Sequence, residues 1–247
     1  MRWFQLNHRD AAVSDSVGNM AEWLDVRDGI KVVVLDVGET LIDESRIWLR
    51  WADRLGVSRM TFLALIGVGI ANGEKDFVDA MKQMRPDYDI AADRIAWAKE
   101  EPDSLRTHFD ADDLYPDVIP ALTELRELGL KVIISGNQPP RATPDLVAMN
   151  LPVDLIRNSA DLGLEKPDPA FFAAVVEMAG VPAEQIMYVG DRLDNDVLPA
   201  REAGMFAVLL RRGPWGYVHA ANLSDDDAAT IPVIDSLIEI PALLGLA

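Results

Sequence analysis

VVVLDVGETLID, residues 32–43, joins an apolar, β-branched run to a carboxylate and a turn. The first four residues have the composition of a buried strand. Asp36 directly follows this run, and the chain then turns through Gly38 and Glu39. The stretch therefore predicts a buried strand that delivers a carboxylate to the edge of a sheet.

Segments with the same strand character recur further along the chain and alternate with helical periods. The strand segments are LKVIISGN (130–137), QIMYVGD (185–191) and MFAVLLRRG (205–213). The helical segments are DVIPALTELRELG (117–129), PDLVAMN (144–150), DPAFFAAVVEMAG (168–180) and DVLPAREAG (196–204). Strands that alternate with helices favour an α/β fold in which a parallel sheet is covered by helices.

Residues 45–113 interrupt this alternation, because they contain helical periods and no β-rich run. The predicted helices are IWLRWADRL (47–55), MTFLALIGVGI (60–70), FVDAMKQM (77–84) and AADRIAWAKEE (91–101). We therefore predict a core domain made of 30–44 and 114–247, with a helical domain inserted at 45–113. Residues 1–29 have no clear period and are predicted to be an N-terminal extension. The segment SDDDAAT (224–230) is predicted to be an acidic surface loop.

Composition excludes several classes of protein. The chain has 247 residues, a formal net charge of -18 and no cysteine. The charge disfavours binding to nucleic acid, and the absence of cysteine excludes disulfides and thiolate sites. No apolar run reaches transmembrane length, and the N-terminus lacks a long apolar segment. We expect a soluble, cytoplasmic protein with no membrane partner.

Three of the predicted strands end in polar residues. Asp36 ends the first, Ser135 and Asn137 end the second, and Asp191 ends the third, followed by Asp196. Taken singly, such an aspartate is most often a helix cap or a turn residue. In an open α/β sheet, however, ligands bind beyond the carboxyl ends of the strands, and a parallel sheet brings these ends together.

Clustered carboxylates repel one another unless a cation lies between them. Asp36, Asp191 and Asp196 offer the hard oxygen ligands that Mg²⁺ prefers. One of these carboxylates is alternatively a nucleophile that forms a covalent intermediate. Ser135 is a candidate hydroxyl donor, and the Lys166 ammonium is placed to neutralise the transferred group. An ordinary surface lysine remains the alternative for Lys166.

Four segments in this order, LDVGETL, VIISGN, GLEKPDP and YVGDRLDND, make the sequence resemble the haloacid dehalogenase-type hydrolase superfamily over about residues 31–213. The resemblance implies a Rossmann-like three-layer core with a helical cap, and substitution through an aspartyl intermediate. It implies four catalytic residues: Asp36, Thr40, Ser135 and Lys166. It also implies a Mg²⁺ site made of side chains and one backbone carbonyl: Asp36, Asp191, Asp196 and Gly38.

The sequence departs from the superfamily's phosphatases at Gly38. The resemblance implies an aspartate there as the general acid/base, and a general acid/base contributes about 10²–10⁴-fold to a rate. Glu39 is the nearest substitute, but we expect it to be a turn residue on the surface. A good leaving group would make the acid unnecessary.

Three functions stay open at this point. The first is Mg²⁺-dependent hydrolysis of a small phosphorylated metabolite. The second is hydrolysis of a carbon–halogen or carbon–phosphorus bond. The acidic pair in GDRLDND argues against the metal-free dehalogenases. A phosphonatase would need a catalytic lysine from the cap. Lys75, Lys82 and Lys99 lie in the cap region, but nothing in the sequence singles out one of them. The third is a low-activity regulatory or binding protein.

Substrate contacts are predicted from the helical domain and from the second strand end. Arg46, close to the predicted cap hinge, is placed to bind an anionic group. Trp48 is placed to wall the pocket, and a place in the apolar core of the cap is the alternative for it. Asn137 is predicted to bind substrate beside Ser135. We assign no role to Arg211 and Arg212, and we expect that residues 1–29 pack on the core or mediate homo-oligomer formation.

Overall fold

The computed structural model describes residues 29–73, 81–82, 84–100 and 109–246. Residues 1–28 of the predicted N-terminal extension and most of the predicted helix at 77–84 lie outside these residues. Their predicted roles stay predictions.

A six-stranded parallel sheet with the order β3-β2-β1-β4-β5-β6 forms the centre of the fold. Its strands are Val32–Leu35 (β1), Lys131–Ile134 (β2), Leu155–Ile156 (β3), Ile186–Gly190 (β4), Phe206–Leu210 (β5) and Val233–Ile234 (β6). The predicted α/β class is confirmed. The two edge strands were not predicted, because two-residue strands are too short to show a period.

Helices cover both faces of the sheet. The helices that follow the inserted segment are Val118–Glu127 (α4), Ala142–Ala148 (α5), Ser159–Leu162 (α6), Pro169–Ala179 (α7), Leu198–Glu202 (α8), Gly213–Ala221 (α9), Asp225–Thr230 (α10) and Ile240–Leu243 (α11). Successive residues of β1 point to opposite faces. Val33 and Leu35 pack in one apolar cluster with α4 and α5, whereas Val32 and Val34 pack in another with α7 and α8. The predicted three-layer arrangement is therefore present.

The described helices of the inserted segment share a third apolar cluster. They are Ser45–Leu55 (α1), Arg59–Ala71 (α2) and Ile90–Glu100 (α3). Trp51 packs edge-on against Trp97 with ring centroids 5.1 Å apart, and Trp48 lies 6.0 Å from Trp215 of α9. Trp215 thus links this cluster to the sheet-bearing part of the chain. The domain boundary at 45–113 stays a prediction.

One predicted loop is a helix. The segment 224–230 contains α10, because the Ser224 side chain accepts a hydrogen bond from the backbone N–H of Asp227. Acidic residues fill its first turn, where carboxylates favourably face the positive end of the helix dipole. The acidic composition that suggested a solvated loop is also a signal for a helix start.

Across the part of the chain that the structure describes, no single helix has both the length and the apolar composition needed to cross a membrane. Only the pair α1 and α2 reaches that composition together, and the two helices are bent by 112° at their junction.

A buried ion pair ties the C-terminal segment to the loop after β1. The guanidinium of Arg212 donates to Oδ2 of Asp117 over 2.5 Å and to the backbone carbonyl of Thr40 over 2.8 Å. The same Asp117 oxygen accepts from the hydroxyl of Ser236 and from the backbone N–H of Leu237. Asp117 and Arg212 expose only 11% and 10% of their side chains. Arg212, which had no predicted role, is thus a structural residue.

We predict that Asp117→Ala lowers the free energy of unfolding by about 3 kcal/mol, because it leaves a buried guanidinium without its carboxylate. Asp235→Ala is the matched control. Asp235 pairs with the neighbouring Arg211, but those side chains are 57% and 45% exposed, so we expect a loss of about 0–1 kcal/mol. Urea unfolding followed by circular dichroism measures both values, and equal losses would contradict the prediction.

Candidate active site

Asp36 lies at the carboxyl end of β1, where the backbone is fixed by neighbouring strands. Its N–H donates to the carbonyl of Val189 over 3.0 Å, and the chain then turns back so that the N–H of Ile42 reaches the carbonyl of Val37. Gly136, after β2, makes room for the carboxylate. A Cβ at position 136 would lie 2.2 Å from Oδ1 of Asp36, so only glycine fits there.

Lys166 joins two of the predicted carboxylates. Its Nζ donates to Oδ1 of Asp36 over 2.6 Å and to Oδ1 of Asp196, and its side chain is 1% exposed. Burial alone would lower the pKa of Lys166, but the charges of Asp196 and Asp36 outweigh it and raise the pKa well above its usual value. Lys166 is therefore a buried cation and not an ordinary surface lysine.

Asn137 holds the backbone of Lys166. Its Nδ2 donates to the carbonyl of Lys166, and its Oδ1 accepts from the N–H of Lys166, both over 2.8 Å. The two bonds fix the segment from which the ammonium reaches Asp36. Asn137 also lines the cavity, and its predicted contact with substrate stays a prediction.

Three buried carboxylates meet beside Lys166. Oxygens of Asp36, Asp191 and Asp196 all lie within 4.8 Å of one another. Burial and the charges of Asp196 and Asp36 raise the pKa of Asp191 well above its usual value. Burial also raises the pKa of Asp196 to about 6, although the Lys166 charge opposes the rise. The charge of three carboxylates is balanced by only one ammonium, and their oxygens form a donor set that suits a divalent cation.

Two buried hydroxyls belong to the segments that follow β1 and β2. Thr40 follows Asp36 in the same loop and Ser135 follows β2, and neither is exposed to solvent. Neither side-chain hydroxyl has a hydrogen-bond partner among the residues that the structure describes. A buried polar group without a partner costs stability, so both hydroxyls are suited to a ligand.

Glu39 does not lie on the surface, contrary to our expectation. It is 5% exposed, and its backbone has a φ of +50°. Its Oε2 accepts from the Tyr115 hydroxyl, and its Oε1 accepts from the N–H of Glu44 over 3.1 Å. Burial raises the pKa of Glu39. Tyr115, which is distant in sequence and partly buried, supplies the donor that holds the Glu39 carboxyl inside the fold.

Glu44 occupies the space beside Gly38. A Cβ at position 38 would lie 2.7 Å from Oε1 of Glu44 and 2.9 Å from its Cδ. Burial, followed by the charges of Glu39 and Asp36, raises the pKa of Glu44 to about 8. Sequence reasoning missed this residue, because it lies six positions beyond Gly38 with no motif around it.

A cavity of about 650 Å³ lies between the sheet edge and the inserted helices. Asp36, Gly38, Lys166 and Asp191 line it from the sheet side, and Glu44 and Trp48 line it from α1 and its start. Predicted site residues from three strand ends therefore face one space. The predicted role of Trp48 as a pocket wall is compatible with this position.

Arg46 does not line the cavity. Its guanidinium pairs with Asp110 over 3.0 Å and with the buried Asp113. These contacts link the start of α1 to the end of the inserted segment. The structure therefore gives Arg46 a structural role, and its predicted contact with substrate has no support in the geometry.

Comparisons with known proteins find one matching family model and several similar proteins. The family model for haloacid dehalogenase-like hydrolases matches residues 30–204. The glyceraldehyde 3-phosphate phosphatase of Methanopyrus kandleri is 30% identical over 219 residues, which cover 80% of this chain and 90% of that protein. The phosphoglycolate phosphatase of Pseudomonas savastanoi pv. phaseolicola is 35% identical over 233 residues, 87% of this chain and 80% of that protein.

A solved structure described as a HAD phosphatase from Thermococcus onnurineus has the same fold. It superposes with a TM-score of 0.55 at 26% identity, over 87% of this chain and 98% of that one.

Proposed function

We propose that this chain, which belongs to the haloacid dehalogenase-like hydrolase family, is a Mg²⁺-dependent phosphatase of a small phosphorylated metabolite. The observation that carries the proposal is the buried contact of Asp36 with Lys166 beside the acidic cluster. A carboxylate held against a cation at the end of a strand is positioned to attack phosphorus. Two similar proteins are named as phosphatases of small phosphate esters, which supports the substrate class.

In this proposal, Asp36 forms an aspartyl-phosphate and water then hydrolyses it. Lys166 balances the charge of the nucleophile and of the transferred group. The hydroxyls of Thr40 and Ser135, which have no hydrogen-bond partner among the described residues, donate to phosphoryl oxygens. Asp36, Asp191, Asp196 and the backbone carbonyl of Gly38 would hold Mg²⁺. The ion supplies positive charge that draws an anionic ester into a strongly acidic protein.

The acidic cluster disfavours the other reactions. A metal-free dehalogenase has no use for three buried carboxylates beside one lysine. A phosphonatase needs a second lysine at the substrate. Lys82 and Lys99 do not line the cavity, and Lys75 lies outside the described residues. A cytoplasmic location, the domain boundaries and homo-oligomer formation remain proposals from the sequence.

Phosphate release from an aryl phosphate tests the proposed function. We expect turnover with Mg²⁺, a loss of at least about 100-fold in excess EDTA, and recovery when Mg²⁺ is restored, because the ion neutralises charge at the reacting group. Calcium in place of Mg²⁺ is the matched control for chelation itself. Phosphate release that EDTA leaves unchanged would contradict the metal dependence. Chloride release from 2-chloropropionate without metal would contradict the proposed reaction class.

A further inference from the structure

We propose that Glu44 is the proton donor to the leaving oxygen, and that Gly38 is glycine because the Glu44 carboxyl occupies the space beside it. This inference rests on the proposed function and names the residue that completes it. Cleaving the P–O bond of an unactivated ester leaves an alkoxide or phenoxide that needs a proton. The donor must therefore lie in the same cavity as Asp36.

Among the residues that the structure describes, five carboxyl groups line the cavity, and four of them have other roles. Asp36 is the nucleophile, and Asp191 belongs to the acidic cluster. Asp194 is engaged by Arg192 in a salt bridge of 2.9 Å. Glu39 uses one oxygen to accept from Tyr115 and the other to accept from a backbone N–H. Among the described carboxyl groups of the cavity, Glu44 is the one to which no other role has been assigned.

The position of Glu44 fits the role. It directly precedes α1, the helix that walls the cavity with Trp48, and its carboxyl lies beside Gly38 in the loop that follows Asp36. Its backbone N–H donates to Glu39, and its carbonyl accepts from the N–H of Trp48 over 3.0 Å. The residue is therefore anchored to both the catalytic loop and the helix.

Gly38 and Glu44 are sterically coupled. Any side chain at position 38 would place its Cβ 2.7 Å from the Glu44 carboxyl oxygen, so the Glu44 carboxyl would have to move out of its present position. A carboxyl reaching the cavity from position 38 and one reaching it from position 44 would thus compete for one space. This coupling predicts that the two positions can exchange the role only when both are changed.

The proposed steps balance as follows. An oxygen of Asp36 bonds to phosphorus, the bond from phosphorus to the ester oxygen breaks, and that oxygen takes its proton from Glu44. The products are the alcohol, an aspartyl-phosphate and the Glu44 carboxylate. Water then bonds to phosphorus while Glu44 takes its proton, the bond from phosphorus to Asp36 breaks, and inorganic phosphate leaves.

Leaving-group dependence tests the inference, with phenyl phosphate and dinitrophenyl phosphate as the probes. We expect Glu44→Gln to lower kcat/KM for phenyl phosphate by about 10²–10⁴-fold. For dinitrophenyl phosphate we expect less than about a tenfold loss, because its leaving group departs without a proton. Without the Glu44 carboxylate to accept a proton from water, the aspartyl-phosphate is hydrolysed slowly. The variant should therefore release a burst of about one dinitrophenolate per active site. Glu39→Gln is the matched control and should change kcat/KM for both substrates by the same factor.

A double substitution gives a second readout. Glu44→Ala frees the space, so Gly38→Asp in the Glu44→Ala background should recover phenyl phosphate hydrolysis to within about tenfold of wild type. Gly38→Asp alone, which displaces the Glu44 carboxyl and crowds it with a second carboxylate, should lower phenyl phosphate hydrolysis. Equal losses of Glu44→Gln on both probes, with Asp36→Asn inactive, would overturn the inference alone. Full turnover in Asp36→Asn would overturn the proposed function and this inference with it.

Discussion

Asp36→Asn is expected to lower kcat/KM for an aryl phosphate by about 10⁴-fold or more, the scale seen when a covalent nucleophile is removed. The amide keeps the shape of the carboxyl and can still accept from Lys166, whose Nζ lies 2.6 Å from Oδ1. It loses the negative charge and the oxygen nucleophile. Stopped assays of phosphate release over hours measure this residual rate.

The fold should survive this change. Asp36→Asn removes one of three buried carboxylates that face a single ammonium, so we expect a thermal midpoint equal to or above that of wild type in metal-free buffer. Asp154→Asn is the matched control. Asp154 lies at the opposite edge of the sheet, where it accepts from the backbone N–H of Val132, and turnover should be unchanged. Full activity in Asp36→Asn would refute the role of the nucleophile.

Lys166→Met should also have a large effect, a loss of about 10²–10³-fold in kcat/KM, as when one donor to a developing charge is removed. Methionine keeps the length and apolar contacts of the side chain but leaves Asp36 and Asp196 buried without their cation. We also expect the free energy of unfolding without metal to fall by about 3 kcal/mol. Mg²⁺ should raise the thermal midpoint of the variant more than that of wild type, because the cluster carries one more uncompensated charge.

Lys131→Met is the control for this lysine. Lys131 begins β2 and donates to the carbonyls of Met178 and Ala179 at the end of α7, on the side of the sheet away from the cavity. Its loss should cost stability without changing turnover per folded molecule. If the two variants lose the same activity, the effect of Lys166 is structural and the assigned role is wrong.

The fold and the central part of the site could be predicted from sequence. The apolar period of β1, β2, β4 and β5 indicated a parallel sheet, and parallel strands present their carboxyl ends at one edge. Asp36, Ser135 and Asp191 end three of these strands, so their convergence followed from topology alone. Lys166 was placed by a motif, and in the structure it lies buried against Asp36.

Contacts between distant segments could not be predicted in this way. Glu39 was expected on the surface, but Tyr115 draws it inside from 76 positions away. Arg46 was expected at the substrate, but Asp113 pairs with it from 67 positions away. Neither partner has a periodic or motif signal, and the charge of a side chain does not indicate which opposite charge it meets.

The sequence by itself determined the sheet, the direction of its strands and the carboxylates at their ends, because periodicity and connection type fix these locally. It also revealed the missing carboxylate at Gly38. Only the tertiary structure decided what lies in that space, since the position of Glu44 depends on how α1 leaves the catalytic loop. Volume exclusion between Gly38 and Glu44, and between Gly136 and Asp36, exists only in three dimensions.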